Sequence, residues 1–139
     1  MTKYFVRSIL PLIVVGVALL GTGVHGQLHG GSDAAKKIVN PVKATPESIT
    51  QGAQLFQKRC AFCHGKDAKG NGPQAPKGSH PADLTDDKWD RGSSDGEIFA
   101  VLRDGAGPEF VMKGYNGKLT DEQMWHLVNY LRSLSQKTR

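Results

Sequence analysis

Apolar residues recur at helical spacing in three stretches of this chain, and no stretch shows the alternation of a half-buried strand. In the first, Thr45 is an N-cap with Pro46 at N1 and Glu47 in the first turn. Ile49, Gly52, Ala53, Phe56 and Cys60 then share one face. Gly52 inside that helix costs about 1 kcal/mol against Ala, which predicts a second helix approaching closely there. In the second, the capping box Ser94-Asp95-Gly96-Glu97 opens a short helix carrying Ile98, Phe99, Val101 and Leu102, and Gly105 ends it. In the third, Thr120-Asp121-Glu122-Gln123 is another capping box, and Leu119 can staple to Met124. Met124, Leu127, Val128, Leu131 and Leu134 form its stripe over 121–135, bordered by Tyr130. Between the first two helices, glycines and prolines punctuate residues 65–81, so this is loop. There are no internal repeats.

The N-terminus follows another pattern. Lys3 and Arg7 precede a 12-residue apolar run from Ile9 to Leu20, the layout of a secretory signal. Extended through Val24 the run reaches 16 residues, just short of the roughly 17–25 that span a bilayer. Residues 1–26 are therefore expected to be a signal peptide cut near Val24-His25-Gly26, or an uncleaved anchor embedded through residues 8–24. Either way Lys3 and Arg7 stay inside, and the rest of the chain lies in the periplasm or on the outer face of the cytoplasmic membrane. Residues 27–44 read as a polar linker, 45–135 as the folded domain and 136–139 as a tail.

Composition changes the picture of the core. Of the 113 residues after position 26, Leu, Ile, Val and Phe make up 20, a share of 18%. That is below the roughly 20% at which disorder is suspected when charge is also high. Here the charge is mild, +5 for the whole chain and +3 without its first 26 residues. A marginal domain with a thin core is implied, and something other than side chains is expected to fill it. A large multidomain enzyme, a collagen-like fibre and a polytopic membrane protein are excluded. The small positive balance also argues against a nucleic-acid binder.

The candidate filler comes from the only two cysteines, in Cys60-Ala61-Phe62-Cys63-His64. A zinc site would want a second ligand pair, and none exists. A thioredoxin-like redox pair would want a βαβ setting. A disulfide between cysteines three apart needs special backbone geometry. Covalent haem fits best: both thiols add to the ring's vinyl groups and the next histidine reaches the iron. A flat apolar ring would also supply the missing core. The sixth iron position then has Met112, Met124, His80 and His126 as candidates, or stays open. Met124 falls on the stripe of the last helix, His126 is expected to face solvent, and His80 sits in a loop before Pro81. Met112 lies between two helices with no stripe of its own, and that placement favours it as a ligand.

These residues resemble the class I c-type cytochromes, small monohaem electron carriers. The resemblance rests on Gly52, Phe56, Cys60-Ala61-Phe62-Cys63-His64-Gly65, Met112, and the stretch from Leu119 through Tyr130 and Leu131. It covers about residues 46–135. It implies an all-α fold whose first and last helices cross around one haem c, Gly52 and Phe56 meeting Leu127 and Tyr130. It implies that His64 and Met112 ligate iron from opposite faces, although Lys113 stands where relatives often carry proline. It implies that the carbonyl of Pro81, or else of Pro76, holds the proximal histidine. Trp89, Arg91 and Tyr115 are candidates to hold the haem propionates, or else are ordinary surface and core positions.

The expected function is one-electron transfer in a respiratory or photosynthetic chain outside the cytoplasm, by a carrier and not by a catalyst in its own right. A fixed electron-input subunit of a larger periplasmic oxidoreductase is the alternative, and an open-site haem enzyme or gas sensor is a further one. The partners expected are redox proteins with acidic docking surfaces, met by Lys66, Lys69, Lys77, Lys113 and Lys118 around the haem. The domain is expected to be a monomer.

Overall fold

The computed structural model describes residues 30–107 and 111–136. The expected export segment, residues 1–26, lies outside the described residues. Helix α1 spans Asp33–Lys36, α2 Pro46–Arg59, α3 Ala61–His64 and α4 Asp95–Asp104. Strands β1 (Gly105–Ala106) and β2 (Met112–Lys113) follow, and α5 runs over Asp121–Gln136.

The three long helices begin where their caps predict. Thr45 Oγ1 accepts from the Ser48 N–H at 3.2 Å, and Ser94 and Glu97 make the reciprocal capping box. At α5 the Thr120 N–H donates to Gln123 Oε1 at 3.0 Å while Gln123 N–H donates to Thr120 Oγ1 at 3.2 Å. Each bond satisfies an amide that the first helical turn leaves without a partner.

α2 and α5 pack against each other at Gly52. A Cβ there would lie 2.0 Å from the His126 carbonyl oxygen and 2.7 Å from Tyr130 Cβ, so no larger residue lets the helices meet. One turn on, the Phe56 and Tyr130 rings touch at 5.3 Å between centroids. Phe56, Met124, Leu127 and Val128 are the largest fully buried side chains. Trp125 stacks on Phe99 at 4.1 Å and joins α5 to α4.

Several expectations need correcting. Residues 30–44, expected as part of a polar tether, lie on the domain. Ser32 caps α1, Ala35 is wholly buried, and Ile38 and Val42 pack against the core. His126, expected in solvent, is 7% exposed, and its Nδ1 lies 2.8 Å from Ser48 Oγ. The reason is a buried polar network built on Asn129. Its Nδ2 donates to Ser48 Oγ at 2.8 Å and to the Val42 carbonyl at 3.1 Å. Its Oδ1 accepts from Asn40 Nδ2 at 2.8 Å. A second polar face on α5, invisible to a pattern that counts apolar positions, thus binds the first turn of α2 and the segment before it. The last difference is the strand pair: Gly105 faces Lys113 and Ala106 faces Met112, antiparallel. Two residues per strand are too few to show alternation.

Candidate haem-binding site

α2 delivers the chain directly into α3, with Cys60 ending the one and capping the other. The last carbonyls of so short a helix need partners, and the glycine-rich loop provides them. Gln74 N–H donates to Phe62 O at 2.9 Å, Gly72 to Cys63 O at 3.0 Å and Gly70 to His64 O at 2.8 Å. A Cβ on Gly72 would sit 2.4 Å from Phe62 O, so only glycine comes this close. The loop that sequence shows as punctuation is folded back on the cysteine motif.

Beside it opens a cleft of about 660 Å³, within the roughly 300–1,000 Å³ of cofactor pockets. Cys60, Cys63, His64 and Met112 all line it. Phe56, Ile98, Leu102, Leu127 and Leu131 belong both to the core and to the cleft wall. The core therefore ends on an apolar cavity, as the thin composition implies. Arg59 and Lys118 stand among the residues that edge it.

His64 Nδ1 lies 3.1 Å from the Ala82 carbonyl oxygen. Carbonyl oxygen only accepts, so Nδ1 carries the proton and Nε2 keeps its lone pair, the arrangement seen at metal-ligating histidines. Burial holds the imidazole below its ordinary pKa, partly offset by the bond to Ala82. At neutral pH the ring is therefore neutral, as ligation requires. The supporting carbonyl belongs to neither proline. Pro81 instead turns its carbonyl towards Gly70, and the next residue reaches the histidine.

The rival uses of the cysteines find no support. Burial pushes the Cys60 thiol up to about 11, with Tyr115 opposing and Cys63 adding to the rise. Redox-active cysteines are shifted the other way, towards about 3.5–7.5. Among the described residues no group of three or more His, Cys, Asp or Glu could hold a metal ion.

Of the four candidates for the sixth position, two line the cleft. Met112 is half-buried and held by the strand pair; His80 is exposed on the loop. Met124 is 1% exposed within the core, and His126 is tied to Ser48. Trp89 and Arg91, the candidates for propionate partners, both line the cleft. The Tyr115 hydroxyl is already committed, donating to the Arg59 carbonyl at 2.8 Å beside Cys60.

The sequence model of the family "Cytochrome c" matches residues 49–135. The chain belongs to the cytochrome c family. Its members carry single electrons and are not catalysts in their own right. Among similar proteins, a cbb3-type cytochrome c oxidase subunit FixP from Sinorhizobium medicae is 30% identical over 109 residues, 70% of this chain and 35% of the relative. Cytochrome c-551 from Bacillus subtilis is 32% identical over 68 residues, 48% of this chain and 58% of that protein. A solved chain of a reducing HAO-like protein complex from Kuenenia stuttgartiensis superposes with a TM-score of 0.61 at 25% identity, covering 70% of this chain and 49% of that one. This cytochrome c domain thus spans about a third of the length of the FixP subunit.

Proposed function

We propose that this domain carries one haem c, joined through Cys60 and Cys63 and ligated by His64 and Met112, and serves as the electron-input module of a larger respiratory oxidoreductase in the periplasm. The observation that carries the haem assignment is the His64–Ala82 hydrogen bond on the wall of an apolar cleft that both cysteines and Met112 share. The assignment to a larger assembly rests on the FixP relatives, which are oxidase subunits by name.

When bound, a c-type haem supplies an iron that takes up and gives back one electron. The chain's residues do the rest. Cys60 and Cys63 fix the ring covalently, and Ala82 orients the His64 imidazole. The strand pair holds the Met112 thioether, a soft ligand that favours the reduced state and raises the potential. Core side chains from α2, α4 and α5 give the cleft an apolar wall. Lys66, Lys69, Lys77, Lys113 and Lys118 are all exposed, and Lys113 and Lys118 stand at the cleft itself. As a docking face for an acidic partner, they would make association slow steeply as salt rises. A rate that stays flat up to physiological ionic strength overturns that docking face.

The test is expression with a haem-attachment system, followed by intact mass and absorption spectra. A single haem adduct and low-spin bands are expected, and a mass equal to the bare chain refutes the assignment. Native purification from membranes then separates the module from its rival, a diffusible shuttle, a reading favoured by the likeness to cytochrome c-551. Recovery in a large complex supports the module; recovery as a free monomer supports the shuttle.

A further inference from the structure

The wall of the cleft between Lys88 and Gly92 carries no helix or strand, yet all five of its residues face the cavity. A single side chain from α5 reaches this wall and the turn after it. Arg132 Nε donates to Asp95 Oδ1 at 2.7 Å, and its Nη2 donates to the Ser93 carbonyl. The same guanidinium lies over the Trp89 indole, 5.7 Å from the ring centroid. It therefore holds one ring, one backbone carbonyl and one carboxylate, spread over seven consecutive residues. Arg132 stands next to Leu131, which is itself part of the cleft wall, so the clamp ties that wall to the helix that builds the core.

A planar fork suits this task, because it stacks on an aromatic face while its edge donates two hydrogen bonds. An ammonium group makes point contacts and cannot do all three. Solvent access and burial are among the levers that set a haem potential, since water stabilises the more charged oxidised state. Resting on the haem assignment above, we infer that Arg132 is a positioning residue for electron transfer: it holds the Trp89–Gly92 wall against the cleft, keeps water out and so raises the reduction potential.

Charge alone and positioning make opposite statements about Asp95→Asn. Removing a negative charge from the domain raises the potential by electrostatics. Loosening the clamp lowers it. Redox titration of the haem-loaded protein should show a lowered potential for Asp95→Asn and a larger fall for Arg132→Gln. Arg132→Lys, which keeps the charge but not the fork, should stay nearer to Arg132→Gln than to the wild type. Trypsin should cut after Lys88 or Arg91 faster in all three variants, an observation on the chain itself. A raised or unchanged potential in Asp95→Asn overturns the inference, as does full recovery of the potential in Arg132→Lys. If Arg132→Gln gives no holoprotein, Asp95→Asn decides alone. A wild type that takes up no haem overturns the haem assignment first. A loaded wild type whose variants do not shift overturns only the role of Arg132.

Discussion

The contact between α2 and α5 and the loop-built wall from residue 65 to residue 94 are ordered by different means. The first is a meeting of two amphipathic stripes, closed at Gly52 and filled by Phe56, Leu127 and Val128. Most of its partners are apolar and repeat every three or four residues, so most of its energy comes from area removed from water, with the bonds among Ser48, His126 and Asn129 as the polar exception. The second has few side chains in the core. It is held by backbone bonds to the end of α3, by the Leu84 N–H donating to Ala68 O at 2.8 Å, and by Arg132. Stability is thus concentrated at the helix contact, while the loop wall closes one side of the cleft.

The largest effect should follow from removing the covalent attachment of the ring. Cys60→Ser with Cys63→Ser should leave no haem adduct by mass and a largely unfolded chain by circular dichroism. Native helix content in that variant would show that the helix contact stands without the ring. Next, Gly52→Ala drives a methyl group into the His126 backbone, which cannot withdraw as a side chain end could. A loss of about 3 kcal/mol or more is expected in denaturant unfolding, at the upper end for overpacking.

Met112→Ala addresses the site between the two regions. Folding should change little, because the side chain is only half-buried and its strand is two residues long. The iron site should change strongly: a lower potential, carbon monoxide binding to the reduced form, and loss of the weak absorption that methionine ligation gives the oxidised form. Met124→Leu should do none of this. An unchanged spectrum and potential in Met112→Ala would make His80, the other candidate in the cleft, the sixth ligand.

The smallest effect tests the cap where the loop wall joins α4. Hydrogen bonds from the Ser94 backbone hold the Glu97 carboxyl below its ordinary value of 4.5. The unfolded chain then binds the proton more readily, so this contribution is complete above that value and is lost as pH falls through the lower folded one. Glu97→Gln keeps a capping-box residue at N3 but cannot ionise. The wild type should therefore exceed the variant in stability at pH 7, and the gap should close below pH 4.5. Ser94→Ala, which removes the whole cap, should cost about 1 kcal/mol in thermal unfolding.

Helix starts, the apolar stripe of α5 and the close approach at Gly52 were legible in the sequence because their causes are local. A cap needs a residue three positions on, and a stripe needs spacings of three and four. The cysteine motif was legible for the same reason: both thiols and the histidine fit within five consecutive residues. What the sequence hid depends on groups brought together from far along the chain. Ala82 serves His64 through a backbone carbonyl, and every residue has one, so no residue type marks it. His126 and Asn129 look like the polar side of a helix until Ser48 and Asn40 arrive from elsewhere to bond them. Arg132 looks like a solvent-facing charge near the end of α5 until the fold sets Trp89, Ser93 and Asp95 around it. Local pattern by itself determined the three long helices and marked the five-residue cysteine motif as the candidate for holding a ring. Only the tertiary structure decided which atoms orient the histidine and clamp the wall, because hydrogen-bond partners are selected by where the folded backbone places them.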